Sequence, residues 1–339
     1  MALQDLLSIN GGVSQGRLHF GWTYSPAVHD ASTIEGLAAR FLASLRQLIA
    51  HCTSPDVAAL ASRMEQLPSR RSCVVPLVGG SHPGAILLIP AFGGHLSAPM
   101  NRLAHGMGGK QPVLGLITPP HYGDGAMPST LQELCARYCR AVLADVPSGP
   151  FTLIGYCFGG YSALELAFQL EEAGRHVERV ILLETKAPHL DKPATDEFDR
   201  VAALLFISRL WGVDTDPGMF VGLSEDHAMR RVLEAMALAD LARADAEATL
   251  RAILDTQEGH HRMLVEGWAM RVPKAPLHLL RASPTSDHRD AELEDYGWEG
   301  HAALKDVHVL PGDHFGIVRP PHLETTTRVL LKLLADRSG

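Results

Sequence analysis

Two rhythms of apolar and polar residues run along this chain, and one gives way to the other near residue 80. Before that point Arg17-Leu-His-Phe-Gly-Trp-Thr-Tyr24 alternates apolar with polar residues, the period of a half-buried strand. Ile34, Leu37, Phe41, Leu45 and Leu48 then recur at helical spacing between Thr33 and Ile49. One strand and one helix cannot bury their apolar faces alone, so residues 1–56 read as a remnant of something larger. Residues 57–80 carry Pro, Ser and the paired Arg70 and Arg71, which suits a linker.

From residue 81 onward the rhythm is strand, Gly-rich turn, helix. Ala85–Ile89 is a continuous apolar run, as expected of a parallel strand covered on both faces. Runs of the same kind are Pro112–Ile117, Phe151–Gly155, Val180–Leu183, Leu277–Leu280 and Val307–Leu310, with helical patterns at Thr130–Val146 and Ser162–Ala173. That order predicts an α/β domain over 81–339: a mostly parallel central sheet with helices on both faces. Between Leu183 and Leu277 no strand pattern occurs, but Phe198–Trp211, Ser224–Leu238 and Ala244–Leu254 read as helices. An excursion of that length, here 188–270, is expected to be a helical lid over a site.

Composition narrows the function. With 339 residues and 46% apolar content the chain supports one large domain and a smaller piece. Lys and Arg number 30 against 38 Asp and Glu, a net charge of -8, so no basic field exists to hold nucleic acid. No long apolar run and no secretion-type leader are present, so a cytoplasmic location away from membranes is expected. The five cysteines Cys52, Cys73, Cys135, Cys139 and Cys157 do not form a disulfide framework. Cys135 and Cys139 lie four apart on an ordinary helix and are expected in the core, and no metal site is read from the sequence.

Cys157 stands in a different context. The strand Phe151–Ile154 runs directly into Gly155-Tyr-Cys-Phe-Gly159-Gly160, and a helical pattern follows. A nucleophile elbow requires this arrangement, because the turn is too sharp to admit side chains beside the nucleophile. The start of a helix also aims backbone N–H groups at the sulfur. The expected base is His314, in the tight loop Pro311-Gly-Asp-His314-Phe after the last strand, since this fold places its nucleophile first and its His last. His260 and His261 are expected only to pack within the lid. For the acid, Glu184 directly follows Val180–Leu183, and Asp287, seven residues past Leu280, is the rival. Two backbone donors are expected to hold an oxyanion: the N–H of Phe158 and that of Ala91 in the Pro90–Gly94 loop.

These residues resemble the type I thioesterase domain of nonribosomal peptide synthetases, an α/β-hydrolase fold. The likeness rests on the Pro90–Gly94 loop, Ile154-Gly-Tyr-Cys-Phe-Gly-Gly160, Ile181-Leu-Leu-Glu-Thr-Lys-Ala-Pro188, Gly297-Trp298 and Pro311-Gly-Asp-His314-Phe. Residues Ile9 to Cys52 are similar to the last strand and helix of an epimerization or condensation domain. The chain departs from the family in carrying Cys157 where Ser is usual and Glu184 where Asp is usual. The resemblance implies that a peptidyl chain moves from a carrier protein's phosphopantetheine thioester onto Cys157 and is then released, with no cofactor bound by this chain itself. Because a cysteine acyl-enzyme remains a thioester, intramolecular cyclisation to a strained lactam or lactone is expected, with hydrolysis to the free acid as the alternative. The elbow also resembles dienelactone hydrolases, for which Asp287 would be the better acid. A carrier-docking module with a decayed site is the non-enzymatic reading.

Overall fold

The computed structural model describes residues 7–14, 17–52, 72–119, 121, 126–146, 148–190, 193, 195–210, 216–238, 246–283, 294–299 and 304–336. The chain divides into two units, Met1–Arg70 and Arg71–Gly339. In the first, strands β1 (Leu7–Ser14) and β2 (Arg17–Tyr24) pair antiparallel, and helix α1 (Ala31–Cys52) follows. Phe41 of α1 meets Phe20 and Trp22 of β2 edge-on, with ring centroids 4.9 and 5.8 Å apart. The alternation along β2 thus supplies the face on which the helix rests. Strand β1 has no clear apolar alternation of its own and takes its conformation from pairing with β2.

The second unit begins with strand β3 (Val74–Val78), then β4 (Ala85–Ile89), helix α2 (Ala98–Gly106), β5 (Val113–Leu116), α3 (Leu131–Asp145) and β6 (Phe151–Tyr156). Helix α4 (Phe158–Glu172) and strand β7 (Val177–Leu183) come next. Three helices follow, α5 (Arg200–Leu210), α6 (Glu225–Leu238) and α7 (Ala246–Glu266), in the interval expected to hold the lid. Strands β8 (Leu277–Ala282) and β9 (Leu304–Leu310) and helix α8 (Leu323–Ala335) complete the unit. The sheet has seven strands in the order β3-β5-β4-β6-β7-β8-β9, parallel except where β3 runs against β5.

Strand β3 corrects the expected linker. Residues 74–78 belong to the sheet, not to a connection ending at residue 80. Pro76 disguised them, because proline inside an apolar run argues against a strand unless the strand is at an edge. Strand β3 is at an edge, and its register against β5 shifts just after Pro76.

The unbroken apolar runs have a simple cause. Ala85, Leu87 and Ile89 of β4 enter one core cluster while Ile86 and Leu88 enter another, so both faces of the strand are buried. Each such side chain contributes roughly 1.5–3 kcal/mol on burial. The lid has a core of its own, including Leu204, Ile207, Val232, Leu250 and Ile253. Arg200 of α5 pins it at one end, reaching Glu225 of α6 at 2.9 Å and Asp255 and Glu258 of α7 at 3.1 and 2.8 Å. No helix among the described residues is long and apolar enough to cross a membrane.

Register places the site. Ile89 lies beside Gly155, Tyr156 beside Leu183, and Leu183 beside Leu280, so β4, β6, β7 and β8 end side by side. From β4 the sheet extends to β5 on one side and to β6 on the other. Such a switch point opens a crevice at the carboxyl ends of the strands.

Candidate active site

The elbow comes first, since its geometry is local. Cys157 sits between β6 and α4 with φ 55° and ψ -123°, a conformation that non-glycine residues rarely adopt. Its N–H donates to the Leu183 carbonyl at 2.8 Å, and its own carbonyl accepts from Gly160 N–H at 2.9 Å and Thr185 Oγ1 at 2.9 Å. Only glycine fits on either side. A Cβ on Gly155 would lie 2.2 Å from the Gly159 carbonyl oxygen, and one on Gly159 would lie 2.4 Å from that of Pro90. The same close approach brings the loop after β4 against the first turn of α4. Helix α4 accordingly starts at Phe158, four residues earlier than its apolar pattern suggests, because tertiary fit outweighs the poor helix propensity of Gly159 and Gly160.

Across the crevice, His314 follows β9 and is half-buried. Its Nδ1–H donates to Oε2 of Glu184 at 3.2 Å, and the Cys157 side chain lies near enough to the same imidazole to stabilise its charged form. Burial by itself would lower the His314 pKa. The neighbouring Cys157 sulfur and Glu184 carboxylate outweigh that and raise it to about 10. Glu184 is 5% exposed and, like Cys157, has positive φ, 51°. Burial pushes its carboxyl upward, but hydrogen bonds from His314, Ala282 N–H and Tyr296 hold it below the usual carboxylate range. Tyr156 completes the support, its hydroxyl donating to the His314 carbonyl at 2.6 Å while its ring stacks on the imidazole.

Phe206 of α5 faces His314, and Gln257 of α7 donates to the Phe92 carbonyl, but the lid side chain that touches both the Pro90–Gly94 loop and Phe158 is a histidine. His260 of α7 is buried, its ring parallel to that of Phe158 with centroids 4.0 Å apart. Its Nδ1 accepts from Gly93 N–H at 3.4 Å, and His121 Nε2–H donates to the Gly93 carbonyl at 2.7 Å. Burial, with a smaller contribution from His121, lowers the His260 pKa to about 3, so the ring is neutral and able to accept that bond. The two segments expected to supply oxyanion donors, Pro90–Gly94 and Phe158, are therefore clamped by one lid side chain. The first N–H groups of any helix lack an intrahelical partner, which leaves the Phe158 N–H suited to an incoming anion. Beside Phe158 lies a mostly apolar cavity of about 310 Å³, walled by Tyr161, Pro188, Met263 and Trp268.

Cys157, His314 and Glu184 thus meet, and Ala91 lies in the loop packed against the elbow. Asp287 falls outside the described residues. Cys135 and Cys139 are buried on α3, where burial pushes both thiols up. The sequence reading missed four supports of the site: Tyr156, Thr185, Tyr296 and His260. Tyr156 and Thr185 adjoin motif residues and were the most legible. Tyr296 directly precedes the Gly297-Trp298 pair, and Trp298 Nε1 donates to the Thr185 carbonyl at 2.7 Å, so this segment forms the floor beneath Glu184.

A thiol, an imidazole and a carboxylate in line can attack an acyl carbonyl. Known proteins show which family the chain resembles. The chain is 28% identical over 302 residues to the indigoidine synthase of Dickeya dadantii (strain 3937), covering 82% of this chain and 19% of that protein. It is 24% identical over 269 residues to the vanchrobactin synthetase VabF of Vibrio anguillarum, covering 78% of this chain and 8% of that protein. The chain therefore spans about a fifth or less of the length of these curated relatives. Among solved structures, the Vlm2 thioesterase domain superposes with a TM-score of 0.58 at 22% identity, over 76% of this chain and 96% of that one. The four-domain nonribosomal peptide synthetase AB3403 gives 0.66 at 22% identity, over 82% of this chain and 21% of that one. A model of the thioesterase domain matches residues 87–334, most of the sheet and all of the lid, and the chain belongs to the thioesterase domain family.

Proposed function

We propose that this chain releases a peptidyl product from a nonribosomal peptide synthetase, taking the acyl group from a carrier protein's phosphopantetheine onto Cys157 and discharging it by intramolecular cyclisation. The observation that carries this reading is that the imidazole hydrogen-bonded to the Glu184 carboxylate also neighbours the Cys157 thiol. With the shared proton held on the His314 imidazole, the Cys157 sulfur attacks the thioester carbonyl. The N–H groups of Phe158 and Ala91 receive the oxyanion, and His314 returns the proton to the departing pantetheine sulfur. Glu184 keeps the imidazole oriented and balances its positive charge throughout. In the second half His314 deprotonates a nucleophile on the bound chain, that atom bonds to the carbonyl carbon, and Cys157 leaves.

Two features support closure over hydrolysis. Acyl transfer from thiol to thiol preserves the activation of the thioester, which a demanding ring closure needs. The apolar cavity beside Phe158 offers room to hold part of the acyl chain away from water. Its partners are then a carrier protein and the peptidyl thioester it bears. The Ile9–Cys52 segment is the end of a condensation-type domain of the same synthetase, the unit Arg71–Gly339 forms the thioesterase, and the assembly works in the cytoplasm.

The test is intact mass after mixing with a peptidyl pantetheine thioester. An acyl adduct on the wild type that is absent from Cys157→Ala supports the reading, and no adduct with any acyl group refutes it. Cys157→Ser is expected to acylate but to release mainly hydrolysed acid. A serine variant that cyclises equally well removes the argument for closure while leaving the acyl-enzyme intact.

A further inference from the structure

A second cluster of chemistry-bearing side chains lies on the sheet away from Cys157. His278 of β8 stands opposite Asp306 of β9, and His308 is two residues beyond Asp306, so all three project from one face of the β8–β9 pair. His278 Nδ1 is 2.7 Å from Asp306 Oδ1, and His308 Nε2 is 3.2 Å from the same oxygen. One potential ligand atom from each residue lies within 4.8 Å of the other two.

We infer that His278, Asp306 and His308 form a site for one divalent transition-metal ion of the zinc type, bridging strands β8 and β9. An ordinary polar trio would leave no atom unsatisfied, and this one does. His308 Nε2 is shielded from solvent and makes no hydrogen bond, although it lies 3.2 Å from a carboxylate oxygen. A cation between them satisfies that lone pair without a proton.

The donor set selects the metal. Two imidazoles and one carboxylate suit Zn²⁺ and its neighbours, whereas Mg²⁺ and Ca²⁺ want oxygen alone. Zinc held about 2.0–2.2 Å from each ligand separates the ligand atoms by roughly 3–3.5 Å, reached from the present spacing by small side-chain rotations. His278, whose side chain is 4% exposed, anchors the site. Asp306 is 37% exposed, so water can reach the fourth position from its side of the site. Two cations face the site. Arg179, on β7, is turned to the carbonyls of Leu333 and Asp336, and Lys305 neighbours Asp306.

The location gives the ion a purpose. Ala282, at the end of β8, donates its N–H to Glu184, and β9 leads into the loop bearing His314. A metal across these strands fastens together the two strand ends that support the acid and the base.

The experiment is calorimetric titration of the chelator-stripped full chain with ZnSO4, repeated with His308→Ala and Asp306→Asn. The partial exposure of both side chains makes these variants tolerable to the fold, which circular dichroism verifies. One equivalent of Zn²⁺ should bind the wild type and raise its Tm. Each substitution should weaken binding at least about tenfold and cancel the Tm rise. Absence of saturable uptake, or uptake unchanged in both variants, overturns the inference. So does a Co²⁺-loaded protein whose spectrum carries a sulfur-to-metal charge-transfer band, because the metal then sits on a cysteine.

Discussion

The two halves of the site are held by different forces. On the elbow side Cys157 is fixed by contact: Gly155 meets Gly159, Gly159 meets Pro90, and Gly160 meets Thr185, with no room for a methyl group at any of the three. On the other side Glu184 and His314 are fixed by hydrogen bonds among buried polar groups, with Ala282, Tyr296 and Tyr156 as partners. Steric constraint is all-or-none, because a close-packed backbone has nowhere to move. Electrostatic constraint is graded, because each partner contributes a share of the field. Damage to the first half should therefore abolish acylation, and damage to the second should slow it.

The largest effect is expected from Gly159→Ala. The new methyl would stand 2.4 Å from the Pro90 carbonyl oxygen, forcing the oxyanion loop away from the elbow. Stability should fall by about 1–3 kcal/mol and the acyl adduct should disappear from the mass spectrum. A folded Gly159→Ala protein that still acylates at the wild-type rate would break the contrast.

Next comes Glu184→Gln, which removes the charge beside His314 while keeping the shape. Single-turnover acylation should slow by about 10²–10⁴-fold, with the adduct still forming in time. An effect below tenfold would mean that another carboxylate orients the imidazole, and would return Asp287 to consideration.

His260→Gln tests the clamp from the lid. Glutamine keeps an acceptor for Gly93 N–H but loses the ring stacked on Phe158. A loss in kcat of up to about 10²-fold with little change in KM is expected, less than deleting an oxyanion donor outright. An equal rise in KM would assign His260 to substrate binding.

The smallest effect lies in the pH dependence of stability. The His314 pKa is raised in the folded chain from 6.5 to about 10, so its contribution is full below 6.5 and lost as pH rises through about 10. The Glu184 pKa is lowered from 4.5, so its contribution is full above 4.5 and lost only as pH falls through its folded value. The Tm difference between wild type and His314→Gln should accordingly be greatest between pH 4.5 and 6.5 and shrink toward pH 10. A difference that does not vary with pH would show that the histidine is held by packing alone.

Several of these residues could be placed before any coordinates. Strand β4 and the body of β6 were legible because parallel strands buried on both faces read as unbroken apolar runs. Cys157 was legible because a sharp strand-to-helix turn needs glycines at fixed offsets. Other features had no local signal. Pro76 concealed β3, since proline at a sheet edge and proline in a loop look alike in sequence. His260 looked like lid packing because nothing near it in the chain shows that its helix crosses over Phe158. Tyr296 reaches Glu184 from 112 residues away.

The amino-acid pattern by itself determined the central strands, the elbow turn and the places of Cys157 and His314 at the ends of strands, since each depends on neighbours within a few residues. Tertiary structure alone decided which carboxylate meets His314, what clamps the oxyanion loop, and that His278 stands opposite Asp306. Those are facts of strand register and helix placement, set by the burial of a whole core and by no single stretch of the chain.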